Sequence, residues 1–305
     1  MSPAAHVVVL TDEPGWHGRR LAHALGSFGV QTSFASLSDC AVDLEAHRWG
    51  IVIPGFDGKL PDGVFVREIA NGSFEQVTLR LGLLHALAEC GVPVYNSARA
   101  IERSVDKSMT SMLLRGAGIA TPATWVTERP AEARATLIRE TARGNRVVIK
   151  PLFGSQGRGL QLLSAGDELP SSSDYNGVYY LQRFVECAEG RACDYRVFVI
   201  AGQAVAAMAR RGTGWVHNVA LGARCEAMPL DDELARLAER AVHAVDLDYA
   251  GVDLMRDRDG AALVIEVNGI PAWRGLQSVT ELDLAARLAQ DFVRRYLARP
   301  GRAVH

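Results

Sequence analysis

Two stretches of the chain concentrate residues able to handle phosphate and metal. The first is VVIKPLFGSQGRGL, residues 147–160, where an apolar run ends in Lys150 and Gly154, Gly157 and Gly159 follow, with Ser155, Gln156 and Arg158 between them. Glycine lets backbone N–H groups approach phosphate oxygens closely, and a lysine supplies a point charge to the same place. The spacing Gly-x-x-Gly-x-Gly fits neither the dinucleotide-binding turn nor the Walker loop, both of which open a helix. Here another short apolar run, LQLL, comes next, so the stretch reads as a glycine-rich hairpin able to lie over a nucleotide. Taken alone, an ordinary flexible hairpin explains it equally well.

The second stretch is GVDLMRDRDGAALVIEVN, residues 251–268. Asp259-Gly260 is a strong signal for a two-residue hairpin turn. That turn places Asp253 directly opposite Glu266, and Asn268, two residues on, shares their face. Two carboxylates facing each other across a sheet repel, and in apolar strands a lone charge is costly. A divalent cation removes both objections. Oxygen donors without His or Cys point to Mg²⁺ or Mn²⁺, completed by water and substrate phosphates. A register slip of one or two residues would turn the acids to water instead.

Two further segments carry weaker signals. LQRFVECAEG, residues 181–190, offers extended backbone to an adenine edge and Glu186 to ribose hydroxyls, although an apolar strand ending in an acid is common. Arg210 and Arg211 end another apolar strand; beside a phosphate site, one of them could stabilise a transferring phosphoryl group, whereas two adjacent arginines ordinarily form a solvated edge.

The elements that must position these residues follow the hydrophobic pattern. Strands are expected at 7–10, 31–35, 50–53, 64–67 and 92–95, with helices near 16–28 and 73–90 between them. The second helix carries Ser73 and Gln76 in capping-box spacing and Gly91 just past its end. Strand and helix in alternation imply an open α/β unit with a largely parallel sheet. One helix is expected from Ser104 to Gly116–Gly118, an extended segment at 121–127 and a helix at 130–143 with Pro130 in its first turn. From Val178 onward the pattern is strand-rich, with a helix at 231–245 and a terminal helix near 283–297.

Composition narrows the classes. With 305 residues, 48% hydrophobic and 22% charged, the chain is long and apolar enough for one large or two to three small domains with substantial cores. A net charge of −2 gives no overall basic field for nucleic acid or anionic lipid. Five scattered cysteines, without a Cys-x-x-Cys pair, fit reduced and mostly buried thiols. No apolar run reaches membrane-spanning length and the N-terminus has no signal-peptide pattern, so a cytoplasmic protein is expected, without nucleic-acid or membrane partners.

In their order along the chain, NSARAIERSVDKSMTSMLL, VVIKPLFGSQGRGL, LQRFVE, the Asp-Tyr-Arg of CDYRVFVI, AAMARR, GVDLMR and VIEVNGIPAWRGLQ resemble the ATP-grasp superfamily, and within it the RimK-type α-L-glutamate ligases. The resemblance runs from about Val94 to Ala298, with a weaker, Rossmann-like pre-ATP-grasp domain before it. It implies an α/β fold of ATP-grasp lobes in three parts: 1–96, 97–180 with the lid, and 181–305 with the metal site. Lys107 and Lys150 then match the two nucleotide-phosphate lysines, with Gly154, Ser155, Gln156, Gly157 and Gly159 as the lid. Gln182, Arg183, Phe184 and Val185 match the adenine hinge, with Glu186 at the ribose. Asp194 and Arg196 match the Asp-x-Arg of the nucleotide and substrate pocket. Arg211, less closely Arg210, matches the arginine facing the γ-phosphate and acyl phosphate. Asp253, Glu266 and Asn268 match the metal ligands.

The implied activity is ATP-dependent, ADP-forming amide ligation with two Mg²⁺ or Mn²⁺ ions, joining L-glutamate to a carboxylate acceptor, in a homo-oligomeric dimer or tetramer. Where many relatives have Arg-Ser-Asn this chain reads Val216-His217-Asn218, and after the metal ligands it reads Asn-Gly-Ile-Pro-Ala-Trp-Arg-Gly. Both departures fall where substrate is expected. VNGIPAWRGLQ and VREIANGSFEQ look more like the branch acting on tetrahydromethanopterin-type pterins, with Arg67 and Asn218 as substrate contacts. A ligase for a protein C-terminus, a carrier protein or a methanofuran-type acceptor is the alternative within the fold; a nucleotide-binding regulatory protein without turnover is the alternative outside enzymes.

Overall fold

The computed structural model describes residues 4–154, 157, 159–187, 194–212, 214–215 and 222–298. The chain forms two compact units. One comprises residues 1–101, 247–249 and 269–305, the other 102–246 and 250–268.

In the first unit, β1 (His6–Leu10), α1 (Gly15–Gly26) and β2 (Gln31–Ala35) are followed by two short strands, β3 (Ala41–Val42) and β4 (Ile51–Val52). Then come β5 (Gly63–Val66), α2 (Phe74–Glu89), β6 (Val94–Tyr95) and α3 (Ala98–Val105), whose last turn begins the second unit. The main sheet has the order β2-β1-β5-β6 and every pairing in it is parallel. Val7 to Leu10 and Val64 to Val66 are fully buried, as strands covered on both faces require. The strand expected at 50–53 does not join this sheet. Gly50 turns the chain at φ +68°, and Ile51–Val52 pairs antiparallel with Ala41–Val42 instead. The expected cap of α2 is present: the Ser73 hydroxyl accepts from the Gln76 amide and the Gln76 side chain accepts from the Ser73 amide at 2.9 Å.

The second unit opens with α4 (Lys107–Gly116). The single helix expected across 104–116 is broken because Asp106 leaves helical geometry and caps α4, accepting from the amides of Ser108 and Met109. The break places Lys107 at the first position of a helix. Then follow β7 (Thr124–Thr127), α5 (Pro130–Ala142), β8 (Val147–Lys150), β9 (Gln161–Leu163) and β10 (Tyr179–Arg183), an antiparallel sheet of order β7-β10-β8-β9. One face buries Val147, Ile149 and Leu181 with Ala133 and Leu137 of α5. By the two-residue period of strands, Val148, Lys150, Tyr180 and Gln182 lie on the opposite face.

The other sheet of this unit is built from β11 (Asp194–Ile200), β12 (Gln203–Arg211), β13 (Arg224–Ala227), β14 (Tyr249–Arg256) and β15 (Ala262–Asn268), in the order β13-β12-β11-β14-β15. α6 (Asp232–Val245) packs on β11, β12 and β15 through its buried face, which includes Leu234, Ala238, Ala241 and Val245. After Asn268 the chain returns to the first unit, with α7 (Arg274–Gln277) and α8 (Leu284–Phe292). There the Asn96 side chain makes four hydrogen bonds. Its amide nitrogen donates to the carbonyls of Tyr249 (2.8 Å) and Gly269 (2.7 Å), and its oxygen accepts from the amides of Asp248 (2.6 Å) and Tyr249 (3.1 Å).

The expectation of five reduced thiols does not hold. Cys40, Cys90 and Cys225 are free, but Cys187 is disulfide-bonded. Composition and spacing carry no signal for that bond, because pairing depends on where the chain folds back. Among the described residues, no helix is long and apolar enough to cross a membrane.

Candidate nucleotide and metal site

The glycine stretch is a hairpin. β8 and β9 pair antiparallel, Val147 with Leu163 and Ile149 with Gln161, leaving the glycines in the connection. Gly154, Gly157 and Gly159 have φ of +133°, +73° and +73°, conformations that L side chains rarely adopt. A Cβ on Gly159 would also meet Pro151 Cγ at 2.8 Å. Lys107 reaches this loop, its Nζ donating to the carbonyls of Gly154 (2.9 Å) and Leu152 (3.3 Å). Ser155 and Gln156 lie outside the described residues.

Lys150 ends β8 on the face away from α5. Its Nζ donates to Gln182 Oε1 at 2.6 Å, and Gln182 Nε2 donates to Thr124 Oγ1 (3.1 Å) and Tyr180 OH (3.3 Å). Tyr180 OH also shares a 2.8 Å hydrogen bond with Ser111, one turn after Lys107 on α4. Burial pushes Lys150 down to about 8, opposed by the charge of Glu266 and assisted by that of Lys107. Burial lowers Lys107 as well, and Glu266 again opposes it. Both lysines of the first sheet's side thus feel one carboxylate of the second sheet. The sequence shows Gln182 only as a candidate for backbone contact; that its side chain orients Lys150 follows from the pairing of β10 with β8.

The hinge segment divides by strand alternation. The Arg183 guanidinium turns to the α5 side and binds Glu140 Oε2 at 2.7 and 3.0 Å, so only its backbone remains for a ligand on the site face. Phe184 lies under the Arg146 guanidinium, 4.4 Å from its ring centre. Glu186 accepts from Arg146 at 2.6 and 2.9 Å and lies 3.6 Å from Arg258.

In the second sheet Asp253 does lie opposite Glu266. The connection, however, is not the expected two-residue turn. Arg256 pairs with Ala262, and Asp257 closes the loop by accepting from the amides of Asp259 (3.0 Å) and Ala261 (2.9 Å). That closure pairs Leu254 with Val264, one residue out of step with the expected register. A bulge between Asp253 and Leu254, with Ile265 as the extra residue, restores the pairing of Asp253 with Glu266.

Asp194, Arg196, Arg210 and Asp253 form a buried charge cluster. Arg196 binds Asp253 through both Nε and Nη2, the latter at 2.8 Å. Arg210 Nε donates to Asp194 at 2.9 Å, and Arg210 Nη2 lies 3.2 Å from Asp253. Burial pushes the Asp253 carboxyl up, but the two guanidinium charges outweigh it and hold it below the ordinary carboxylate range. Asp194 is pushed up to about 7, by burial first and by the charge of Asp253, against the pull of Arg210. The two arginines therefore compensate the carboxylates, a role for which the sequence suggested only a cation.

The adjacent arginines point to different places. Arg210 is buried against Asp194 and Asp253. Arg211, on the other face of β12, is about half exposed and binds Glu226 at 2.6 Å. It is Arg210, not Arg211, that the fold brings to the carboxylates. Asn218 lies outside the described residues. Arg67 belongs to the first unit. Its guanidinium lies 4.3 Å from the centre of the Trp273 ring, Nη2 donates to the Pro271 carbonyl at 3.1 Å, and Nη1 lies 3.5 Å from Tyr249 OH.

Among the described residues there is no group of three His, Cys, Asp or Glu side chains able to hold a metal ion. The residues expected to hold a metal are two carboxylates and the Asn268 amide, whose nitrogen donates to the Gly251 carbonyl at 3.3 Å and leaves its oxygen for a ligand. Asp253 accepts three bonds from arginine, and a carboxylate accommodates about four. Hard oxygen donors of this kind fit Mg²⁺ or Mn²⁺.

Two lysines beside a glycine-rich hairpin, together with a sheet that clusters carboxylates and arginines, are what an ATP-grasp ligase requires. The chain belongs to the RimK-like ATP-grasp family, whose domain matches residues 104–292. It is 34% identical to the tetrahydromethanopterin:alpha-L-glutamate ligase of Methanocaldococcus jannaschii over 243 residues, 76% of this chain and 79% of that protein. It is 30% identical to a probable alpha-L-glutamate ligase of Hydrogenovibrio crunogenus over 281 residues, 88% of this chain and 89% of that one. The fold is shared with the ATP-grasp ligase PsnB complexed with its minimal precursor (TM-score 0.72, 23% identity, 96% of this chain and 99% of that one). It is shared also with D-cycloserine synthetase DcsG (TM-score 0.73, 20% identity, 96% and 100%). Members of this fold use ATP with Mg²⁺ or Mn²⁺.

Proposed function

We propose that the chain joins L-glutamate to the carboxylate of a small-molecule acceptor of the tetrahydromethanopterin type, through an acyl phosphate. The observation that supports the chemistry is that Lys107 binds the carbonyls of the glycine hairpin while the charge of Glu266 acts on both Lys107 and Lys150, as a single phosphate-handling site requires. The acceptor is supported by the names of the 34%-identical relatives.

In this reading Lys150, oriented by Gln182, and Lys107, released from the lid carbonyls, hold nucleotide phosphates. Asp253, Glu266 and Asn268 hold the divalent cation, which supplies charge neutralisation at the phosphates. Arg210 stabilises the transferring phosphoryl group, while Arg196 and Asp194 keep Asp253 and Arg210 in place. The backbone of 182–185 meets adenine, and Glu186 takes the ribose hydroxyls in exchange for its bonds to Arg146. The acceptor carboxylate attacks the γ-phosphate, ADP leaves, and the glutamate amine displaces phosphate from the acyl phosphate. The lid excludes water, which would otherwise hydrolyse that intermediate.

The test is incubation with ATP, Mg²⁺, L-glutamate and candidate acceptors, read by ADP release and by the product mass. ADP release that needs both glutamate and the pterin, with a product one glutamyl residue heavier, supports the reading. Extension of a peptide or protein acceptor instead would transfer the activity to the other branch of the fold. Glu266→Gln should abolish ADP release while leaving the circular dichroism and unfolding midpoint near wild type; near-wild-type turnover in that variant rejects the metal assignment.

A further inference from the structure

Three neighbours of Arg67 report a positive charge without a counter-ion. The guanidinium is partly buried, and each group it touches is neutral: the Pro271 carbonyl, the Tyr249 hydroxyl and the Trp273 ring. Its Nε is buried and has no hydrogen-bond partner. Arg274 stands on the same segment, and among the described residues neither arginine is paired with a carboxylate. A buried guanidinium is ordinarily paired with a carboxylate or a phosphate.

His17 senses the same field. Its Nε2 accepts from the amides of Trp273 (3.1 Å) and Arg274 (3.2 Å), which requires the neutral ring with its proton on Nδ1. Burial, Arg67 and Arg274 together push it down to about 4. The ring is edge-on to Trp273 at 4.7 Å and to Trp16 at 5.0 Å. The segment 271–274 is thus held from two sides, by His17 after β1 and by Arg67 after β5. It begins three residues beyond Asn268 in the chain.

We propose that Arg67, with Arg274, binds a carboxylate of the organic substrates, and that His17 is the positioning residue that holds the 271–274 segment in place for it. This rests on the ligase reading and assigns the anion-recognition group of that reaction. The shared chemistry is a carboxylate that does not react: either the second carboxylate of glutamate or a further acid group on the acceptor. The bound carboxylate compensates the charge that the neutral surroundings leave unpaired.

Direct binding separates this inference from the ligase reading. Wild-type protein is titrated calorimetrically with L-glutamate and with glutarate, and so are Arg67→Met, Arg67→Lys, His17→Gln and His17→Leu. Dicarboxylate binding should weaken at least tenfold in Arg67→Met and less in Arg67→Lys. It should persist in His17→Gln, whose amide oxygen can accept the same bonds, and weaken in His17→Leu. Where turnover is measured, KM should rise at least tenfold for one organic substrate, glutamate or acceptor, with KM for ATP unmoved; the substrate affected identifies the source of the carboxylate. Equal binding by wild type and Arg67→Met, no binding by wild type, or a rise in KM for ATP overturns the inference. Retained binding without ligation of any acceptor would reject the ligase reading alone.

Discussion

The two arginines that end β12 give a sharp test, because sequence and structure rank them differently. Arg211→Ala removes an exposed pair with Glu226, worth at most about 1 kcal/mol. Arg210→Ala removes a buried guanidinium from between Asp194 and Asp253 and leaves two carboxylates to the remaining Arg196. Breaking a buried pair on one side costs about 3–5 kcal/mol. Asp194, already pushed up to about 7 with Arg210 in place, should take up a proton at neutral pH and recover part of that loss. A net destabilisation of about 2–4 kcal/mol follows for Arg210→Ala. If Arg210 also faces the phosphoryl group, ADP release should fall by about 10²–10³. Urea unfolding and a coupled ADP-release assay on both variants, with Arg210→Lys as a folded control that keeps the charge and loses the two-pronged geometry, read the two effects separately. Greater loss of activity in Arg211→Ala than in Arg210→Ala would refute the placement, as would an Arg210→Ala protein as stable and active as wild type.

Gly159→Ala, with φ at +73° and Pro151 2.8 Å from the new Cβ, should raise KM for ATP several-fold while costing about 1–2 kcal/mol, measured by ATP titration and unfolding. Asn96→Leu should cost about 3–6 kcal/mol, since it leaves buried amides and carbonyls of Asp248, Tyr249 and Gly269 unpaired; a loss below about 1 kcal/mol in urea would contradict the bonding described. His17 has a depressed value, so its neutral form is favoured by folding. Its contribution is complete above pH 6.5, where the unfolded ring is also neutral, and is lost as pH falls toward about 4. For this partly exposed ring the loss should be about 1–2 kcal/mol, and His17→Gln should flatten that part of the stability–pH profile.

Much of the site was legible because it depends on local pattern. The apolar runs on either side of Asp259-Gly260 placed Asp253 opposite Glu266, although a longer loop and a bulge at Ile265 reach that pairing by another route. Glycines separated by two residues and one, between apolar runs, read as a hairpin and formed one. What stayed hidden depends on distant pairing. That Arg210 rather than Arg211 meets the carboxylates needs β12 beside β11, with Asp194 opposite Arg210. The orientation of Lys150 by Gln182 needs β10 beside β8. The compensation of Asp253 by Arg196 needs β11 beside β14. The break at Asp106 was local and still missed, since a capping aspartate inside an amphipathic run looks like any polar helix position.

Asn96 ties together the two places where the chain leaves the first unit and comes back to it, on either side of the carboxylate hairpin. Its one side chain clasps the point where the ribbon begins, at Asp248 and Tyr249, and the point where it ends, at Gly269. The tip of the ribbon is closed separately, by Asp257 accepting from the amides of Asp259 and Ala261, and the bulge at Ile265 lies between that closure and the pairing of Asp253 with Glu266. Insertions at Asp259-Gly260 should accordingly be tolerated where a change at Asn96, more than 150 residues away in the chain, is not.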